Sequence, residues 1–225
     1  VECGIASRRK SEELIRLKRV KVNNNIALIG DKVDPTIDVV EVDDKVITPL
    51  KKEYYIINKP KGAISTRYDP QKRTTVMSFL GKEEYLFPVG RLDKDTRGLL
   101  LITNDGDLTN KLLHPRFLIE RRYVVQVKGE LNREKIDLLL NGIKLEDGIA
   151  KMDKVELISV SNVRSILEVS LHEGRKRLIR RIFKTLGHPV TDLLRIQFGP
   201  IHLGNLKEGE LRPLTEEEIH KLKCL

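Results

Sequence analysis

Hydrophobic positions along the chain follow two rhythms, and the changes between them divide it. From Ser7 the apolar residues Leu14, Ile15 and Leu17 fall at helical spacing opposite the cations Arg8, Arg9 and Lys10, with Ser7 placed to cap the helix. Short alternating runs follow at 19–22, 26–29 and 39–42. They are separated by the turn signals Asn23-Asn24-Asn25, Asp34-Pro35 and Asp43-Asp44, and so predict a small helix-and-strand unit over residues 1–47. Thr48-Pro49-Leu50-Lys51-Lys52 reads as a linker over 48–52. In the region 53–225, strand patterns lie at 54–57, 98–103, 123–127, 154–159 and 166–171. Helix patterns lie at 75–80, 109–113, 133–140, 175–186 and 216–223. Strands come mostly in succession with helices inserted irregularly, which predicts an α+β domain on a mixed, mostly antiparallel sheet with peripheral helices.

Composition narrows the function classes. Forty-two Lys and Arg against thirty-three Asp and Glu leave a net charge of +9, more than solubility demands, and point to a polyanionic partner. No apolar run approaches the ~20 residues of a spanning helix, so no membrane role is expected. Cys3 and Cys224 sit at opposite ends and the five histidines lack ligand spacing. Disulfides, a metal and a cofactor are therefore not expected, and a reducing cytoplasm is the expected compartment. The chain opens at Val1 inside an element, so the first helix of the small unit is expected to be cut short.

The densest chemistry lies in Gly90-Arg91-Leu92-Asp93-Lys94-Asp95-Thr96-Arg97-Gly98, a charged loop that runs directly into the apolar strand Leu99-Leu100-Leu101-Ile102. A carboxylate at such a junction is held by a rigid scaffold while facing a cleft. A calcium loop is excluded, because Arg97 stands at the fifth position, where an oxygen ligand is needed, and Asn104 at the twelfth, where a bidentate glutamate is needed. Taken alone, the segment reads equally well as a charged turn capped by Asp95 and Thr96. Arg121-Arg122-Tyr123 heads an alternating strand, and Tyr123 by itself reads as a packing residue. Glu173-Gly174-Arg175-Lys176-Arg177-Leu178-Ile179-Arg180-Arg181 opens an arginine-rich helix whose Leu178, Ile179, Ile182 and Phe183 face a core. Arginine at a core boundary calls for a carboxylate or phosphate.

Together these segments resemble the pseudouridine synthases of the RsuA family. The likeness includes Ile57-Asn58-Lys59-Pro60-Lys61-Gly62, His114-Pro115-Arg116, Gly187-His188-Pro189-Val190 and Leu211-Arg212-Pro213-Leu214. The first 47 residues resemble the alpha-L RNA-binding domain of ribosomal small-subunit protein four. There, Leu17-Lys18 replaces the usual small residue and glycine at the end of the helix. The resemblance implies a catalytic Asp93, a Tyr123 that stacks on the target base and takes its proton, and an Arg180 that pairs with the aspartate and favours its charged form. Arg91 is implied to fill the space of an extruded nucleotide. Leu178 stands where the family commonly has glutamine. RNA contacts are expected from Arg91, Arg8, Arg9, Lys10, Arg19, Lys59, Arg175, Lys176 and Arg177.

The reaction implied breaks the N1–C1′ bond of a flipped uridine, turns the base and joins C5 to C1′, with no redox change. Asp93 serves either as nucleophile or as the base that removes a sugar proton. The implied substrate is a stem-loop of ribosomal RNA. The C-terminal segment 198–215 is closest to the family's RluB branch and leans to large-subunit 23S rRNA over 16S. The protein is expected to act as a monomer. Two other readings stay open: an RNA-binding protein with an inert site, and an aspartate-dependent hydrolase that releases free uracil.

Overall fold

In the computed structural model, residues 3–81 and 85–225 are described. They fall into two units, residues 3–53 with 85, and residues 54–81 with 86–225. The first unit begins with α1 (Arg8–Arg16), capped by Ser7, whose hydroxyl accepts the Lys10 N–H. Four short strands follow: β1 (Val20–Val22), β2 (Asn25–Ile26), β3 (Val40–Val42) and β4 (Lys45–Ile47). They pair antiparallel in the order β2-β1-β3-β4. The hairpins β1–β2 and β3–β4 turn on Asn23-Asn24 and Asp43-Asp44, all four at positive φ. Asn and Asp tolerate that conformation best among residues with a side chain. Residues 27–29, expected to extend a strand, leave the ladder after Ile26.

The helix of this unit ends where a glycine is expected and a lysine stands. Lys18 takes φ +57, its N–H bonds the Ile15 carbonyl, and the next N–H, of Arg19, reaches back to Leu14. The left-handed helix stop thus forms with a side chain present.

The second unit contains β5 (Tyr54–Lys59), β6 (Phe87–Pro88), β7 (Arg97–Thr103), β8 (Arg121–Lys128), β9 (Ile143–Leu145), β10 (Gly148–Ala150), β11 (Lys154–Val160), β12 (Arg164–Leu171), β13 (Val190–Phe198), β14 (Ile201–His202) and β15 (Leu211–Pro213). Its helices are α2 (Gly106–Leu113), α3 (Arg133–Asn141), α4 (Leu178–Thr185) and α5 (Glu216–Lys223). The main sheet runs β11-β12-β8-β13-β7-β5-β15, with β14 on β13 and β6 on β7. Among the described strands its pairings are antiparallel except β13 with β7, so the sheet is mixed and mostly antiparallel.

The central strands are covered on both faces, which is why Leu99–Ile102 reads as an unbroken apolar run. Ile57, Leu100, Ile102, Val125 and Val127 belong to one core with α3 and α4, while Tyr54, Ile56, Leu99, Leu101 and Phe198 belong to the other with α2 and α5. Three expectations change, the first being the 109–113 helix, which begins earlier, at Gly106. The 75–80 helix is a 3-10 turn over Val76–Phe79, and the arginine-rich helix starts at Leu178, three residues later than expected. No side chain caps its N-terminus, and Arg177 at that position is left-handed with φ +52.

Strand β13 has no counterpart in the hydrophobic pattern, although it lies at the middle of the sheet. Its buried positions include Arg195 and Gln197 beside Leu193 and Phe198, so inward-pointing polar residues break the alternation.

Candidate active site

One concave cavity of about 550 Å³ opens where the 89–96 loop, β8, β13 and the start of α4 converge. Its walls include Asp93, Tyr123 and Arg180, three residues that lie far apart in sequence, together with Arg91, Arg175, Lys176 and Arg177. Counting Arg121 and Arg195, seven cationic side chains face two carboxylates, Asp93 and Glu173. A polyanion entering this cleft meets a strongly favourable field.

The loop carrying Asp93 is fixed on both sides of it. Leu92 is buried, and the Ser65 hydroxyl donates to its carbonyl at 3.0 Å while accepting its N–H at 3.1 Å. The Gly62 N–H donates to the Lys94 carbonyl at 2.8 Å, and the Thr96 N–H closes a turn onto the Asp93 carbonyl. The Lys59 ammonium donates to the carbonyls of Thr96 at 2.7 Å, Pro60 at 2.9 Å and Lys94 at 3.4 Å. Among the described residues the half-buried Asp93 carboxylate has neither hydrogen-bond nor ion-pair partner. A carboxylate on a rigid loop, unspent on the protein itself, is equipped to act on a ligand.

Lys59 requires a correction. It was expected to touch RNA, but its side chain is fully buried, and its three carbonyl partners belong to the β5 exit and the aspartate loop. Burial depresses its pKa to about 8, against the partial counter-pull of Asp95, Glu208 and Asp93. Its role is to brace the loop.

Arg180 also differs from expectation in detail. Its guanidinium donates to the carbonyls of Asp95 at 2.9 Å and Val190 at 3.4 Å, not to the Asp93 carboxylate. Burial and the neighbouring Arg177 lower its pKa, while the charges of Asp95 and Asp93 act on it through space in the opposite sense. Arg180 therefore ties α4 to the loop one step beyond the carboxylate.

Tyr123 lies on the inward face of β8, 8% exposed, and its hydroxyl has no partner among the described residues. Leu178 is buried in the core and lines the cavity, so this position serves packing. Arg175 is held by Glu173 at 2.7 Å, Asp147 at 3.2 Å and the Ile149 carbonyl at 2.8 Å, which spends much of its charge on the protein. Arg91, Lys176 and Arg177 are exposed on the rim and have no ion-pair partner among the described residues.

The first unit holds the remaining expected RNA contacts. Arg8, Arg9 and Lys10 are exposed on α1, whereas Arg19 is engaged in a two-pronged pair with Asp43.

Sequence reasoning missed Ser65, Arg121 and Arg195. Arg121 was within reach, because it lies two residues before Tyr123 and so shares its strand face. Arg195 lay in an unrecognised strand. Among the described residues no cluster of His, Cys, Asp and Glu could hold a metal, and no helix is long and apolar enough to cross a membrane.

Comparison with known proteins bears on this geometry. Residues 53–185 match the family model described as RNA pseudouridylate synthase. An Aquifex aeolicus protein named as an uncharacterized RNA pseudouridine synthase is 42% identical over 98% of this chain and 90% of its own. A Bacillus subtilis protein named ribosomal large subunit pseudouridine synthase B is 40% identical over 99% and 92%. A crystal structure described as a pseudouridylate synthase superposes with a TM-score of 0.67 at 28% identity, covering 98% of this chain and 96% of that one.

Proposed function

The chain belongs to the RNA pseudouridylate synthase family, and from that premise we propose that it converts a uridine in a stem-loop of large-subunit ribosomal RNA to pseudouridine, with Asp93 as the catalytic carboxylate. The observation that carries the site assignment is the convergence of Asp93, Tyr123 and Arg180 on one cavity. The large-subunit substrate rests on relatives in Bacillus subtilis and Vibrio cholerae named ribosomal large subunit pseudouridine synthase B.

The chemistry follows from the residues present. A uridine flipped from its stack costs a few kcal/mol and enters a cleft whose rim cations Arg91, Lys176 and Arg177 suit its flanking phosphates. Tyr123 offers a ring face to the base. The C1′–N1 bond breaks with its electron pair leaving on N1. Asp93 either bonds C1′ or takes the C2′ proton, and the detached uracil turns. C5 then bonds C1′ as the Asp93 oxygen departs or the C2′ proton returns. The C5 proton passes to Tyr123 and N1 gains a proton, so the product is an isomer. The loop bracing by Ser65, Gly62 and Lys59 supports this role because near-attack geometry tolerates little displacement.

The first unit serves, on this reading, as an alpha-L RNA anchor over residues 1–47, joined by the 48–52 linker to the catalytic domain 53–225. Exposed Arg8, Arg9 and Lys10 supply phosphate contacts. On this reading the protein acts as a monomer.

The test is tritium release from [5-³H]uridine-labelled rRNA. Asp93→Asn and Asp93→Ala are expected to abolish it while RNA affinity stays within a few-fold of wild type. Release at the wild-type rate by either variant overturns the assignment of Asp93. Release of free uracil by the wild type would favour a hydrolase instead.

A further inference from the structure

The cavity floor holds two buried arginines that neither the loop bracing nor the rim explains. Arg195 is 3% exposed and Arg121 8%. They flank Phe198, with guanidinium carbons 5.0 and 5.2 Å from the ring centroid. Each gives one hydrogen bond to the protein, Arg195 through Nε to the Leu99 carbonyl at 2.7 Å and Arg121 through Nη1 to the His172 carbonyl at 2.6 Å. Neither has a carboxylate partner among the described residues, and Nη2 of Arg195 is buried with no partner.

Two like charges buried side by side without a counter-ion are costly, and leaving their donors unused costs more. Burial works most strongly against the protonated form of Arg121 and the Arg195 charge adds to it, while Tyr123 acts through space in the opposite sense. Hydrophobic residues would fill this space at less cost, so the arrangement fits a negative charge that arrives only with the ligand. Arg195 stands directly opposite Tyr123 across the β13–β8 ladder, and both line the cavity.

We propose that Arg195 and Arg121 are catalytic residues that hold the uracil anion formed when the C1′–N1 bond breaks. This rests on the function proposed above. On cleavage the bonding pair passes to N1 and spreads over O2 and O4, giving a flat anion with two acceptor oxygens. Guanidinium donors fixed in a desolvated floor stabilise that charge as it develops, which is where fixed donors are worth most. A backbone phosphate fits less well, because the strand continues from it in both directions and it stays near the rim. A base at the end of its glycosidic bond can reach the floor. The same donors would keep the free base from drifting out while it turns.

The experiment compares uridine with 5-fluorouridine at the target position of one rRNA stem-loop, using the full-length protein under single-turnover conditions. Disappearance of the N-linked nucleoside is read by mass spectrometry after nuclease digestion. Fluorouracil is the more stable anion and depends less on outside help. Arg195→Met is expected to slow uridine cleavage about 10²–10³-fold, with RNA affinity within about threefold of wild type. The loss with 5-fluorouridine should be at least tenfold smaller. Arg195→Lys and Arg121→Lys keep the charge and guard against misfolding, and they should show the same substrate bias at smaller size.

Equal losses on both substrates overturn the proposal and leave the arginines a structural role. Affinity that falls in step with rate, independent of the base, also overturns it and assigns the pair to a phosphate. A wild-type protein that turns over neither substrate would instead defeat the function proposed above.

Discussion

At the scale of single residues, Lys59 shows how burial reassigns a side chain. In the sequence it is one lysine among many, while in the fold its ammonium joins three carbonyls around the aspartate loop. Its pKa, depressed to about 8, makes a signed prediction. Below pH 8 the folded and unfolded chains both hold the proton, so this group contributes no slope. Between pH 8 and the ordinary lysine value of 10.5 the unfolded chain keeps a proton that the folded one has shed, so stability to unfolding rises with pH. Denaturant melts across that range should show the rise in wild type and lose it in Lys59→Met. The same variant is expected to lower turnover roughly tenfold, as expected for about 1–2 kcal/mol of lost loop anchoring. RNA affinity should not change, which filter binding would check.

Elements are held in place here by a few backbone approaches. Where β7 meets β13, Gly98 has φ +110, and a methyl group there would lie 2.3 Å from the Arg195 carbonyl oxygen. Gly98→Ala should destabilise the protein by more than ~3 kcal/mol, because neither backbone can yield without opening the sheet. Denaturant unfolding would measure the loss, and an unchanged midpoint would mean that the two strands do not pack as described. The opposite case is Lys18, which ends α1 in a conformation costly for any residue with a Cβ. Lys18→Gly should stabilise the first unit by roughly 0.5–1 kcal/mol, the relief of strain outweighing the added freedom of the unfolded chain. Hydrogen exchange at the amides of β1 and β3 is the direct readout.

For the molecule as a whole, the excess of cations is distributed between two tasks. Part of it lines the cavity, and part covers α1 in Arg8, Arg9 and Lys10. If α1 grips phosphates, converting those three residues to glutamine should weaken RNA binding and reduce the slope of log affinity against log salt by about 2–3. Single-turnover rates at saturating protein should stay near wild type, since the cavity is untouched. A slope identical to wild type would remove α1 from the RNA interface.

How much was readable in the chain itself depended on the range of the interaction involved. Periodicity placed α1, β5, β7, β8, β12 and α5 to within a few residues, because each repeats its apolar positions at a local spacing. The residue order of the Gly90–Gly98 loop, Tyr123 and the arginine-rich segment carried the family resemblance. The central strand β13 escaped because Arg195 and Gln197 point inward and disrupt its alternation. The late start of α4 was equally hidden, since Arg175 is held by Asp147 and Glu173, which no local spacing reveals. Sequence alone determined the order of most elements, the basic character and the reactive groups on offer. Tertiary structure decided which charges are spent on the protein and which remain for a ligand, because desolvation and pairing depend on neighbours brought together from distant parts of the chain.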